Sequence, residues 1–355
     1  MNEILLTFII PVYNSENYFR QCLDSLVTQT VKAHKAIIIN DGSTDNSKAI
    51  AEEYVQAYPE MFELINQKNS GQAVARNLAL TKVNTKFVTF LDSDDYQEPK
   101  FIEKFTYLLS KMDEYPDMVF TLPWLYDNST KQITDWHDID LFEHIFYPED
   151  SKGNKSDLSI VTNVSNNKWI YALEPSPSRK IYRTEFLRNI DFKFSEGKKW
   201  EDVQPHYRAV HYASRCVGLK NTGFIYRINT DSQTTSGTGK TRLDVIDVFR
   251  DTINMAKTEK WEDEDIAYII RALWQFTTWT IDVISEDYID EFLAKMHVLF
   301  NEIPKKYFKL YFDTCSPHRR TEKAKTFIIK SPFYRMLDDY RVRNYFKNLG
   351  YKVGK

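Results

Sequence analysis

Phe87-Val88-Thr89-Phe90-Leu91-Asp92-Ser93-Asp94-Asp95 is the stretch that decides the fold of this chain. An apolar run breaks off into three carboxylates. Strands of a parallel sheet are apolar on both faces, so the run reads as a buried parallel strand. Open α/β sheets bind ligands beyond the C-terminal ends of such strands. Carboxylates gathered there repel one another and desolvate at a cost unless a cation joins them. A divalent metal that also holds phosphate oxygens supplies that cation. The strand end therefore points to metal-assisted chemistry on a phosphorylated donor; a solvated turn is the bland alternative.

The segments on either side alternate between strand and helix. Ile4–Ile10 is apolar and ends at Pro11-Val12-Tyr13-Asn14, where Asn14 or Ser15 can cap a helix striped with Tyr18, Phe19, Cys22, Leu23 and Leu26. Ala36–Ile39 ends at Asn40-Asp41-Gly42-Ser43-Thr44-Asp45, where Ser43 or Asp45 can cap a second helix. A third strand near Phe62–Ile65 leads to Asn69-Ser70-Gly71 and a helix over Gln72–Val83. Beyond the acidic stretch, Glu98–Met112 reads as a helix and Met118–Leu122 as a strand. This βαβ alternation predicts an α/β fold, a mostly parallel sheet with right-handed crossovers.

Trp124–Asn167 is polar and irregular, and is expected to form loops on the acceptor side. Pattern returns at Lys180–Leu187, at a helix after Trp200-Glu201-Asp202, and at short strands Cys216–Leu219 and Phe224–Ile228. The Ser/Thr/Gly-rich stretch Asp231–Thr241 marks a boundary. It divides a catalytic domain, 1–235, from a helical part, 242–355, whose helices centre on Leu243–Met255 and Ile266–Trp279. Trp274, Phe276 and Trp279 read as helix core.

The chain has 355 residues, is 42% hydrophobic and carries a net charge of -3, which gives no global pull toward nucleic acid. Cys22, Cys216 and Cys315 are scattered, with no metal-ligand spacing or disulfide framework, so a reducing cytosol is expected. No apolar stretch approaches the roughly 20 residues that span a bilayer, and no signal peptide is evident. Residues 305–355 hold 14 Lys/Arg against 4 Asp/Glu, interleaved with aromatics such as Tyr307, Phe308, Tyr311 and Phe312. Such a segment could lie on an anionic membrane face or meet an anionic glycan; a solvated helical face is the plain alternative.

Four polar clusters fall at strand or loop ends. Asp41 could accept the imide proton of a pyrimidine. Asp92 and Asp94 project past one strand end, where one can hold a ribose hydroxyl and the other a metal. Gly71 permits close backbone approach to a ligand, and Arg76 could reach back to the cleft. Glu201 and Asp202 open a helix, where the dipole stabilises carboxylates, and an ionised carboxylate there can act as general base.

Together these clusters resemble the family 2 glycosyltransferases of GT-A fold, over about residues 4–235. The resemblance rests on Pro11-Val12-Tyr13-Asn14, Asp41-Gly42-Ser43-Thr44-Asp45, Asn69-Ser70-Gly71 with Ala75-Arg76-Asn77, Asp92-Ser93-Asp94-Asp95 and Trp200-Glu201-Asp202. It implies an inverting transferase that moves a hexose or N-acetylhexosamine from a UDP-sugar to a glycan, glycoprotein or lipid-linked acceptor. Pro11, Val12 and Tyr13 would line the base pocket with Asn14 beside them, and Asp41 would bind uracil. Asp92 would hold the ribose, with Ser93, Asn69, Gly71 and Arg76 around the donor. Asp94 would bind Mn²⁺ or Mg²⁺, Asp202 would be the base and Glu201 would orient the acceptor. Lys180 is placed near phosphate, and Arg227 and Ser232 in a loop over the diphosphate. Asn40 stands where the family commonly has a second aspartate. The resemblance further implies surface-glycan assembly in a bacterium, at the inner face of the membrane, with the C-terminal helices available for a homodimer.

Other readings are weaker. Gly237-Thr238-Gly239-Lys240-Thr241 imitates the end of a P-loop, but Thr234 stands where the first glycine belongs. His206 reads as a packing histidine rather than a metal ligand. A non-catalytic nucleotide-sugar-binding partner and a nucleotidyltransferase remain as alternative functions; the second usually needs a Gly- and basic-rich loop where Pro11–Ser15 stands.

Overall fold

The computed structural model describes residues 3–150, 158–220, 222–228 and 239–315. The chain folds into two compact units: Met1–Gly197 with Pro205–Ser236, and Lys198–Gln204 with Gly237–Lys355.

The first unit is built on a seven-stranded sheet. Its strands are β1 (Leu6–Val12), β2 (His34–Asp41), β3 (Phe62–Gln67), β4 (Phe87–Phe90), β6 (Met118–Thr121), β9 (Lys180–Arg183) and β10 (Cys216–Leu219). Their order is β10-β6-β9-β4-β1-β2-β3. All neighbours are parallel except β9, which runs antiparallel between β4 and β6. Every residue of β1 and β4 is buried, as continuous apolar runs covered on both faces require. Helices α1 (Glu16–Val27), α2 (Ser47–Ala57), α3 (Gln72–Leu80) and α4 (Phe101–Ser110) alternate with the early strands. Phe19, Cys22, Leu23 and Leu26 bury the predicted stripe of α1. Truncating one such core side chain to alanine costs about 2–5 kcal/mol.

Residues 124–146 depart from the sequence reading. They contain β7 (Trp124–Asp127), β8 (Ile133–Asp135) and helix α5 (Ile139–Phe146). With β5 (Tyr96–Gln97) and β11 (Phe224–Ile228), β7 and β8 form a second sheet in the order β5-β11-β7-β8. The elements are short and polar at their flanks, which hid them. Phe142, Ile145 and Phe146 nevertheless bury one face of α5, a helical spacing that the surrounding Asp and Asn masked. Helices α6 (Thr184–Asn189) and α7 (Val203–Tyr212) follow.

The second unit holds α8 (Asp244–Thr258), α9 (Asp263–Val283), α10 (Glu286–Glu302) and α11 (Lys305–Leu310). Tyr307, Phe308, Tyr311 and Phe312 are buried there, so the first aromatics of the basic segment are core rather than a surface stripe. Its remainder, 316–355, lies outside the described residues. Trp279, read as core, is 44% exposed. Among the described residues no helix is long and apolar enough to cross a membrane.

Candidate active site

The acidic strand end forms as the sequence predicts, and neighbouring loops lock it. Leu91 N donates to Ile9 O, carrying the strand pairing one residue past β4. Asp92 Oδ1 accepts from Gln72 Nε2 at 3.0 Å and from Arg76 Nη2 at 2.7 Å. Arg76 is buried beside the Phe194 ring, so its cation anchors Asp92. The Ser93 and Ser15 hydroxyls meet at 2.7 Å and tie this strand end to that of β1.

Asp95 had no role in the sequence reading, yet it is the most deeply placed carboxylate of the cluster. It is 1% exposed, and its Oδ1 accepts the Arg227 backbone N–H at 2.9 Å. Its Oδ2 has no hydrogen-bond partner. Burial first, then the Asp94 and Asp92 charges, push its pKa well above the usual range. The same order of causes raises the Cys22 thiol beneath the cluster, with Asp95 as its first charged neighbour. Burial and these three carboxylates also raise the Tyr226 phenol. Burial is the first cause in each case and the neighbouring carboxylates the next, while Arg76 pairs with Asp92 and the Arg227 N–H reaches Asp95.

The donor set here fits a divalent cation: three carboxylates within four residues, with the buried Asp95 Oδ2 lacking a hydrogen-bond partner. Among the described residues no group of three or more His, Cys, Asp or Glu side chains could hold a metal alone. One or two carboxylates plus substrate phosphates is how Mg²⁺ is usually bound, and Asp94 offers that kind of partial site.

Asp41 is 4% exposed. Its Oδ1 accepts from Gln67 Nε2 and Ser70 N, and its Oδ2 accepts from Gly71 N at 2.9 Å. This carboxylate thus shapes the Asn69-Ser70-Gly71 loop, while Asn69 itself is exposed. Gly71 has φ 91°, which an L side chain rarely adopts. Asn40, the departure from the family pattern, donates to Asn66 Oδ1 and accepts from Ser43 N. Asn14 accepts from Thr44 N at 2.8 Å, so it joins two loops. Asp45 accepts from both Glu16 N and Ser47 N, at the starts of α1 and α2. Pro11 and Val12 are buried, and Tyr13 is 37% exposed beside them.

Two expected donor-side cations, Lys180 and Arg227, are both buried. Lys180 is fully buried and its ammonium donates to the carbonyls of Glu174 and Ser176. Its place on β9, inside the sheet, explains this. Arg227 is 6% exposed and lies among the rings of Tyr18, Tyr96 and Tyr126. It donates to Asp94 O at 2.6 Å and to Gln21 Oε1 at 2.6 Å. It therefore braces the acidic turn from below. Sequence gave no signal for this brace, because its parts come from α1, β5, β7 and β11. His206 is buried, and burial, then Lys180 and Arg179, hold its ring well below the usual pKa. That neutral state suits a packing role.

Glu201 and Asp202 are partly buried and belong to the second unit, with Lys198–Gln204. Ser232 lies outside the described residues. A separate cavity of about 730 Å³ opens near the N-terminal end of β4, lined by Lys86, Asp117, Arg183 and Arg215 among others. Arg183 and Arg215 pair there with Asp117, Glu185 and Glu114, and the cavity lies at the opposite end of β4 from the acidic cluster.

Residues 7–172 match the family model described as Glycosyl transferase family 2, so that stretch is a family 2 glycosyltransferase domain. A 257-residue stretch, 70% of this chain, is 28% identical to Glycosyltransferase GlyA of Streptococcus pneumoniae and covers 34% of that protein. A 235-residue stretch, 65% of this chain, is 41% identical to EpsH of Bacillus subtilis and covers 63% of it. The chain thus spans less than two thirds of either relative. Among solved structures, S. aureus TarS 1–349 in complex with UDP-GlcNAc matches with a TM-score of 0.73 and 20% identity. That match covers 99% of this chain and 93% of the other, and it is a likeness of fold.

Proposed function

We propose that this chain is an inverting, metal-dependent glycosyltransferase, moving a hexose or N-acetylhexosamine from a UDP-sugar to a hydroxyl of a surface glycan or glycoconjugate. The supporting observation is the strand end itself: Asp92, Asp94 and Asp95 lie within a four-residue stretch beyond β4, with Asp92 held by Gln72 and Arg76 and Asp95 by the Arg227 N–H. Asp94 would hold Mn²⁺ or Mg²⁺ against the donor diphosphate, where such an ion neutralises charge on the departing UDP. The Tyr13 ring would cover the base and Asp41 would accept its imide N–H. Asp92, already fixed by Arg76 and Gln72, would accept from the ribose. Asp202 would take the proton of the attacking hydroxyl. Attack on the face opposite the leaving group turns an α-linked donor into a β-linked product. UDP-GlcNAc in the TarS complex favours a UDP-sugar as donor. A cytosolic setting, and membrane contact through the basic C-terminal segment, belong to the same proposal.

The test is UDP release from a panel of UDP-sugars, with Mn²⁺ or Mg²⁺ and then with chelator. Release from one donor is expected, and should disappear both with chelator and in Asp94→Asn. Release indifferent to both rejects the metal site. Binding of UDP-sugars without turnover on any acceptor would favour the non-catalytic partner.

A further inference from the structure

Trp200 immediately precedes Glu201-Asp202 and has φ 64°. A bulky L side chain rarely enters the left-handed region, and it stays there only when its surroundings over-determine it. The surroundings here do so. Trp200 packs edge-on against Phe276 and Trp279 of α9, with ring centroids 5.4 and 5.5 Å away. The Arg242 guanidinium, 1% exposed, lies over both Trp200 and Trp279, at 5.4 and 4.5 Å. The two preceding residues are tied as well. Lys198 pairs with Asp251, and Lys199 N donates to Asp244 Oδ2 at 2.9 Å, both on α8.

The consequence falls on the next two residues. Val203 N donates to Trp200 O at 3.2 Å. That bond closes a turn whose central residues are Glu201 and Asp202. The direction of the Trp200 carbonyl, set by its left-handed backbone, therefore sets the turn that carries both carboxylates.

We infer that Trp200, Arg242 and Trp279 are positioning residues: this aromatic and guanidinium box of the C-terminal helical unit holds Trp200 left-handed and so fixes the turn bearing Asp202. The inference rests on reading Asp202 as the base. It gives the C-terminal unit a part in the chemistry beyond acceptor, membrane or oligomer contacts.

The experiment compares Trp200→Ala with Trp200→Gly, each checked for folding by thermal melting. Both lose the box, but only glycine enters the left-handed region without penalty. Small misplacements of a catalytic group cost on the order of 100-fold, so Trp200→Ala should lose about that much kcat. Trp200→Gly should recover a large part of the loss, with donor KM unchanged in both. Arg242→Met should lower kcat in the parent chain and have little further effect in Trp200→Gly. A second readout needs no catalysis: amide exchange at Val203 should speed up more in the alanine variant than in the glycine variant. Alanine equal to or better than glycine in both readouts overturns the inference. Full transfer by Asp202→Asn instead overturns the base assignment, while Val203 exchange still decides whether the box sets the turn.

Discussion

The acidic strand end and the Trp200-Glu201-Asp202 turn carry carboxylates in contrasting ways. At the strand end, Asp92, Asp94 and Asp95 extend a buried strand, and side chains from adjacent loops hold them. Their geometry follows from a sheet that buries every residue of β1 and β4. At the turn, three consecutive residues are each tied to helices 40 or more positions further along the chain. The first arrangement is a carboxylate cluster anchored from several loops, one of them 132 residues away. The second is long-range and conformationally loaded. Under the proposed roles, a carboxylate that meets a cation can sit in a crowd of like charges, whereas one that accepts a proton in one direction needs its backbone fixed.

The largest effect that could break this contrast is expected at the turn. Asp202→Asn should lower transfer on the order of 10²–10⁴-fold, the usual contribution of a general base, with UDP-sugar binding by calorimetry retained. Equal loss of donor binding would mean that the turn serves the donor and that the two regions share one task.

A smaller effect tests whether the donor side is a hydrogen-bonded scaffold. Gly42 has φ 73°, and a Cβ there would lie 2.8 Å from Asn69 N. Gly42→Ala should destabilise the fold by about 1–3 kcal/mol, seen as a lowered Tm, and should raise donor KM through the loop that Asp41 shapes. Unchanged melting and binding would show that the loop is not a rigid part of the site.

The smallest effect isolates the stored charge. The folded pKa of Asp95 is raised by burial, then by Asp94 and Asp92. The folded state therefore holds this proton more tightly than the unfolded chain does. Its contribution to stability is greatest in acid and is lost as pH rises out of the ordinary carboxylate range through the raised value. Asp95→Asn keeps the acceptor for Arg227 N and removes that loss. The variant should melt higher than the parent at neutral pH, with the gap closing toward acid and narrowing when Mn²⁺ is added to the parent. A gap independent of pH would place its source elsewhere.

Much of the first unit was legible. Apolar runs with abrupt polar ends locate β1, β2 and β4, because a strand buried on both faces admits few polar residues, and Thr7 and Thr89 are each hydrogen-bonded there. Asp41, Asp92 and Asp94 could be found this way. Asp45 was legible near the start of α2, where Asn46 takes the N-cap position, and its carboxylate accepts from Ser47 N and from Glu16 N of α1. Lys180 was not, since a lysine within a short β-pattern gives no sign that its ammonium will fold onto carbonyls a few residues upstream. Of the second sheet only Phe224–Ile228 was read as a strand; the other three are two to four residues long, too short for alternation to register.

The sequence by itself determined the alternation of strands and helices up to Met118–Leu122, the class of sheet they build and the acidic end where that sheet opens, since these depend on local periodicity and burial. Only the tertiary structure decided what holds the carboxylates. Arg227 meets Asp95 across 132 residues, and the left-handed backbone of Trp200 depends on an arginine and a tryptophan from the helical unit. Such contacts rest on the closing of the chain in space, and no spacing along it encodes them.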